Sequence, residues 1–147
     1  MTVSLAPASI VTRRRLEWSE TDPMDRWHYT AVLRFVESAE TLLHHRLGIR
    51  HDEFRRMPRL NVNVDFLGAL HYDETAETAL SVEHVGRSSM RYAFTVSRDG
   101  QALARGTMTV AWFEPETGRS APWPERLRAL FAESGPVSGS LPGPEEG

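Results

Sequence analysis

The chain has 147 residues, of which 40% are apolar and 25% charged, so it reads as one globular domain and not as a disordered chain. A formal net charge of −3 argues against nucleic acid as a partner. All 17 basic residues are arginines and there is no cysteine, which excludes Schiff-base chemistry, disulfides, thiolate catalysis and Cys-ligated zinc.

Residues 1–9 are small and polar and are expected to be flexible. No signal-peptide pattern opens the chain, and no run approaches the ~18 apolar residues of a membrane span. The expectation is a cytoplasmic protein with no membrane contact. From Ile10 to Trp18 the alternation of Ile10, Thr12, Arg14, Leu16 and Trp18 predicts a strand, with Arg13–Arg15 as a solvated run that blocks an edge. Pro23 keeps Asp22 out of the helical region and makes Ser19–Pro23 a break.

Apolar residues then recur at helical spacing from Tyr29 to Leu47: Tyr29, Val32, Leu33, Val36, Ala39, Leu43, Leu47. Phe35 and Leu42 widen the apolar surface, so the helix is expected to be wrapped by the rest of the fold, and Gly48 should stop it. Leu60, Val62, Val64 and Phe66 alternate with polar residues and predict a half-buried strand. Further strands are expected over 74–85, 89–97 and 101–113, the last two joined by a hairpin turn at Asp99-Gly100. A short closing helix is expected over 122–133, and the Gly/Pro/Ser-rich stretch 134–147 is expected to be disordered. One domain, 10–133, follows: α+β, an antiparallel five-stranded sheet around one long helix.

The stretch Trp18-Ser-Glu-Thr-Asp22-Pro23-Met-Asp-Arg-Trp27-His28-Tyr29, followed by a helix carrying Phe35 and Glu37, resembles the hotdog-fold thioesterases of the 4-hydroxybenzoyl-CoA thioesterase and YbgC type. Val64-Asp65-Phe66 and Gly86-Arg87-Ser88-Ser89 are also similar to family segments. The resemblance implies a hotdog fold, a homodimer or dimer of dimers with sites at the subunit interface, and hydrolysis of an acyl-CoA to free acid and CoA. It puts Asp22 at the family's catalytic carboxylate. It puts Tyr29 at the first helical residue, whose backbone N–H faces the thioester carbonyl. Where the family has glycine two or three residues after the Asp, this chain has Met24 and Asp25.

A carboxylate opposite a helix N-terminus suits that chemistry. The carboxylate attacks the carbonyl or activates water, and the N–H stabilises the oxyanion. Asp22 by residue type alone would also suit a turn or an N-cap. Trp27 and His28 are candidates to shape the acyl pocket, with ordinary packing and surface exposure as the simpler alternatives. Glu37 is the reserve acid, and Arg87, Ser88 and Ser89 are candidates for binding the nucleotide or pantetheine part of CoA. Glu40 and His44, four apart, read as a surface pair and not as metal ligands. No metal or separate cofactor is expected, CoA entering only as part of the substrate. Two other readings stay open: release of an acyl or polyketide chain from an acyl carrier protein, and a non-catalytic acyl-binding module.

Overall fold

The computed structural model describes residues 5–140. In chain order come β1 (Ala6–Arg15), a 3₁₀ turn (Trp18–Glu20), α1 (Ala31–Leu47), α2 (His51–Phe54), β2 (Arg59–Phe66), β3 (Thr75–Val85), β4 (Ser89–Arg98) and β5 (Gln101–Ala111). The pair β6 (Phe113–Glu114) and β7 (Arg119–Ser120), then α3 (Glu125–Glu133) and β8 (Ser134–Pro136), complete it. The main sheet has the order β2-β5-β4-β3-β1-β8. Its first five strands pair antiparallel, and β8 lies parallel to β1.

The expected α+β hotdog architecture is observed, with α1 laid across β1, β3 and β4. Its Phe35, Val36, Ala39 and Leu43 are fully buried, as are Ile10, Leu80, Tyr92 and Val96 of the sheet. Each such side chain contributes about 1.5–3 kcal/mol by leaving water. Gly48 ends α1 at φ 72, and the β4–β5 turn uses Asp99 at φ 51 and Gly100 at φ 78, the left-handed pair a tight hairpin needs. Gly106 is obligatory for a different reason: a Cβ there would stand 1.9 Å from the Asn63 carbonyl oxygen of β2.

Four expectations need correction. β1 runs from Ala6 to Arg15, not from Ile10 to Trp18; β8 lies alongside its start, pairing Ala6 with Ser134, and its end turns into the 3₁₀ segment. Ser134–Pro136, expected to belong to a disordered tail, thus form part of the sheet, whereas residues 1–4 and 141–147 lie outside the described residues. Arg14 is not solvated: it makes a two-pronged pair with buried Glu20 (2.9 and 2.8 Å) and stacks on Phe35 at 4.7 Å. β2 is not half-buried in the single chain: it is the sheet's edge, and among the described residues only Val64 of its apolar set packs against the core, with Leu60 61% exposed and Phe66 51%.

Glu40 and His44 are the fourth correction. They are not a surface pair, because both lie on the buried side of α1. Glu40 receives both guanidinium nitrogens of Arg59, one at 3.0 Å. Burial pushes its carboxyl above the usual range against the pull of Arg59. His44 Nε2 meets the Tyr92 hydroxyl at 3.0 Å. Burial, then the charge of Arg59, lowers the His44 pKa to about 3. The unfolded chain takes up a proton at His44 below about pH 6.5, and the folded chain does not until about pH 3. The contribution of His44 to stability is therefore complete above pH 6.5 and is lost as pH falls. Urea unfolding at about pH 7 and about pH 5 should show the wild type losing about 2 kcal/mol more than His44→Phe over that interval.

Candidate active site

The segment between β1 and α1 is held at both ends before it forms anything. Glu20 is buried and accepts from Arg14 and from the Glu17 N–H at 2.9 Å, with Arg34 at 3.8 Å. Burial opposes the Glu20 charge, but these donors prevail and hold its carboxyl below the ordinary range. The His28 N–H donates to the Glu20 carbonyl at 2.8 Å, and the Trp27 N–H to the Leu70 carbonyl at 2.7 Å. Trp27 is buried edge-on against Phe35, with ring centres 6.1 Å apart.

Between these anchors the chain makes a tight turn on Asp22. The Asp22 N–H donates to the Arg26 carbonyl at 2.8 Å, and the Asp22 carbonyl accepts from the Asp25 N–H at 3.0 Å. Asp22 Oδ1 accepts from the Met24 N–H at 2.8 Å, so its other carboxylate oxygen has no partner among the described residues. Asp25 has φ 59, a conformation that favours glycine and that Asp tolerates better than most residues. The turn thus keeps a left-handed residue without a glycine.

The helix begins two residues later than expected, at Ala31 with Thr30 as its cap. Tyr29 is therefore not its first residue but lies just outside it, 68% exposed. The shift has a local cause: the Thr30 N–H and hydroxyl both engage His28 Nδ1 (3.2 and 2.7 Å), and the Ala31 N–H takes the His28 carbonyl. The Tyr29 N–H has no partner among the described residues.

Asp22, Trp27 and Tyr29 line one cavity of about 170 Å³, together with Arg26, Phe66 and Gly68. Arg26 adds a basic residue to the lining. At Gly68 a Cβ would meet a Leu103 methyl at 2.9 Å, so a larger residue there would need the Leu103 side chain to shift. These last three residues were not picked out as site residues from the sequence. The one available signal was Phe66, an apolar residue at the end of a strand.

The other sequence candidates lie elsewhere. His28 packs its ring on Tyr29, with centres 4.5 Å apart, and caps the helix start. Glu37 stands on the exposed face of α1, in a groove with Arg14, Arg34 and His45. Arg87, Ser88 and Ser89 sit at the far end of the sheet, where their carbonyls accept from the Trp123 N–H, the Trp112 N–H and Trp123 Nε1. On β5, Ala104 pairs with Phe66 and Ala111 with Ser89. Those seven residues of extended chain put the two ends about 23 Å apart. Among the described residues no group of three His, Asp or Glu is placed to hold a metal.

A sequence model of the thioesterase-like superfamily matches residues 16–131, and the chain belongs to that superfamily of thioester hydrolases. A relative from Aquifex aeolicus, whose name assigns it provisionally to the esterases, is 25% identical over 99 residues, or 65% of this chain and 77% of that one. Two solved structures share the fold. A 1,4-dihydroxy-2-naphthoyl-CoA thioesterase from Synechocystis superposes with a TM-score of 0.77 at 14% identity, covering 84% of this chain and 95% of that one. A Thermus thermophilus thioesterase complexed with coenzyme A and Zn gives 0.75 at 24% identity, covering 82% and 90%.

The left-handed turn at Asp25 makes a direct prediction. Asp25→Gly should stay within about 0.5 kcal/mol of the parent in thermal unfolding, whereas Asp25→Val should lose about 1–2 kcal/mol, because a branched Cβ collides with the backbone at that φ. Equal stability of the two variants would show that the turn does not depend on that conformation.

Proposed function

We propose that the protein hydrolyses an acyl-CoA thioester to the free acid and CoA, with Asp22 as base or nucleophile and the Tyr29 N–H as oxyanion donor. The observation that carries this reading is that Asp22, with one carboxylate oxygen unpaired, and Tyr29, with its N–H unpaired, line the same small cavity among the described residues. Thioester hydrolysis needs that pairing. Negative charge grows on the carbonyl oxygen as an oxygen nucleophile adds to its carbon, and one fixed donor there is worth about 3 kcal/mol of barrier. If Asp22 acts as base, it takes a proton from the attacking water; the C–S bond then breaks, and the proton passes to the departing CoA thiolate. If it acts as nucleophile, its oxygen bonds to the acyl carbon as the C–S bond breaks and CoA thiolate leaves; water then hydrolyses the resulting anhydride to the free acid and the Asp22 carboxylate, and a water proton passes to the thiolate. The CoA named in two structural relatives supports the choice of thiol. The left-handed Asp25 supports an intact catalytic turn over a non-catalytic binding module. No cofactor enters this scheme.

Thiol release from a panel of aliphatic and aromatic acyl-CoA substrates tests the reading. Wild type should turn over at least one member, and Asp22→Asn should lose about 10²–10⁴ of that rate. A fully active Asp22→Asn would remove Asp22 from the chemistry.

The reading extends to a homodimer built on β2. This strand is an unpaired edge with Leu60, Val62 and Phe66 exposed, a template for pairing with another strand. A two-fold antiparallel pairing of two β2 strands would set the Phe66 end of one copy against the Arg59 end of the other. It would bring Asp22 of one copy toward the end of the sheet that carries Arg87–Ser89 in its partner, which no folding of a single chain achieves. Light scattering should find a dimer or a multiple of it for wild type. Val62→Arg, which sets like charges near the two-fold axis, should yield a monomer with activity reduced at least tenfold. A wild-type monomer with full activity would overturn the arrangement.

A further inference from the structure

The main sheet has two outer edges, and they differ. β2 forms one and is open; the other would be the ten-residue strand β1 if Ser134–Pro136 did not lie beside it. A long unpaired edge is a template on which another strand can add, and Val11 of β1 is 53% exposed.

The residues after β8 continue the cover. The Val137 N–H donates to the Ser9 carbonyl at 2.9 Å, and the Val137 side chain packs against the core. Backbone groups alternate in direction along a strand, so the odd-numbered residues of β1 turn theirs to this outer edge and the even ones turn toward β3. Two residues on, Gly139 follows Val11. A Cβ there would run into the Val11 carbonyl, so only glycine lets the chain stay this close. Arg46, in the last turn of α1, donates to the carbonyls of Ser138 and Ser140, the first at 3.2 Å. Ser134–Ser140 is thus a strap laid on β1 from Ala6 to Val11 and clamped from α1.

The outer side of this strap offers little to a further strand. Pro136 faces away from β1, because its neighbour Val137 faces toward it, and a proline has no N–H to offer. The Ser138 and Ser140 carbonyls are engaged by Arg46, and the Ser140 N–H by the Ser138 hydroxyl at 3.3 Å. A ten-residue edge is replaced by a three-residue strand that carries a proline, which is how sheets refuse partners. Without the strap, two copies of β1 could pair about a two-fold axis at Val11. That register sets Ser9 against Arg13 and opposes no like charges, and only Pro7 withholds a hydrogen bond.

We propose that Ser134–Ser140 is an edge cap that denies β1 to a second copy of this chain and so confines assembly to the β2 edge. One self-complementary edge closes as a dimer, whereas two such edges on one sheet propagate copies without end. How far an uncapped chain would grow rests on the β2 dimer proposed above; the closing of β1 does not.

Gly139→Val combined with Arg46→Ala, in the full-length chain, opens the cap. Its mass by light scattering over a range of concentrations is compared with that of its parent, both in wild type and in the Val62→Arg background. On wild type the mass should climb past the parent's as concentration rises. With β2 blocked by Val62→Arg it should rise about twofold and stop. Adding Val11→Lys, which opposes two like charges across the axis, should return both to the parent mass. Arg46 is not a core residue, so Arg46→Ala alone should move the mass in the same direction by less. A mass equal to the parent's in both backgrounds, or growth that Val11→Lys leaves in place, would overturn the proposal. A wild-type monomer would remove the β2 dimer only: the opened chain should then still gain its one twofold step through β1.

Discussion

The helix α1 governs this structure because it has too little polar surface to stand in water. Phe35, Val36, Ala39 and Leu43 must be covered, and a single flat layer cannot cover so broad a stripe. A twisted antiparallel sheet can, by curving around the helix with its inward residues alternating along β1, β3, β4 and β5. The same wrapping takes Glu40 and His44 out of water. Two polar side chains in a core are tolerable only if each is paired, and Arg59 and Tyr92 supply the partners. Losing Arg59 alone would leave the Glu40 charge buried without compensation, a penalty of about 3–5 kcal/mol for a fully buried pair. Arg59 is itself a third exposed, so the actual penalty lies toward or below the low end of that range.

The two ends of α1 solve different problems. At the N-terminus the chain must arrive at a fixed angle and still leave donors unspent. The buried Glu20 with Arg14, the Trp27 N–H on Leu70 and the His28 cap hold the backbone. Delaying the helix to Ala31 leaves the Tyr29 N–H outside the helical ladder and without a partner. Rigidity next to an unpaired donor is the condition for electrostatic stabilisation of a developing charge, because no reorganisation is needed when the charge appears. At the C-terminus Gly48 turns the chain away and α2 folds back, which brings Phe54 over His44.

Much of this was legible because periodicity reports burial directly. The strands expected over 89–97 and 101–113 form, with Met90, Tyr92, Phe94 and Val96 of one and Ala104, Met108 and Val110 of the other buried, and Asp99-Gly100 predicted a turn whose φ values are both positive. What stayed illegible was set by partners distant in sequence. Nothing near Glu40 and His44 signals that residues 59 and 92 will meet them, so their residue types suggested a surface pair. Arg14 had the same fate, since Glu20 and Phe35 become its neighbours only once the turn has formed. β8 has no apolar pattern of its own and is a strand only because β1 lies beside it. The Met24-Asp25 pair suggested a missing glycine. The backbone requirement there is for a positive φ, and Asp meets it at a modest energetic cost.

The strand β2 carries the remaining tension. Its alternation of Leu60, Val62, Val64 and Phe66 with arginine, asparagine and aspartate is the pattern of a strand with one face covered, yet within one chain the face is open. A sequence pattern and a burial profile that disagree in this way are what the proposed pairing of two β2 strands would reconcile. Its other edge is taken: seven of its eight residues are matched to β5, with an irregularity at Leu60, and Gly106 admits the Asn63 carbonyl so closely that no side chain could replace its hydrogen. β2 is therefore pinned to its own sheet and cannot shift to hide its apolar residues. The Asp22 cavity borders the Phe66 end of this strand. Whatever covers β2 must approach that cavity. In the dimer proposed above, the candidates at the two ends of the sheet would come together from two copies.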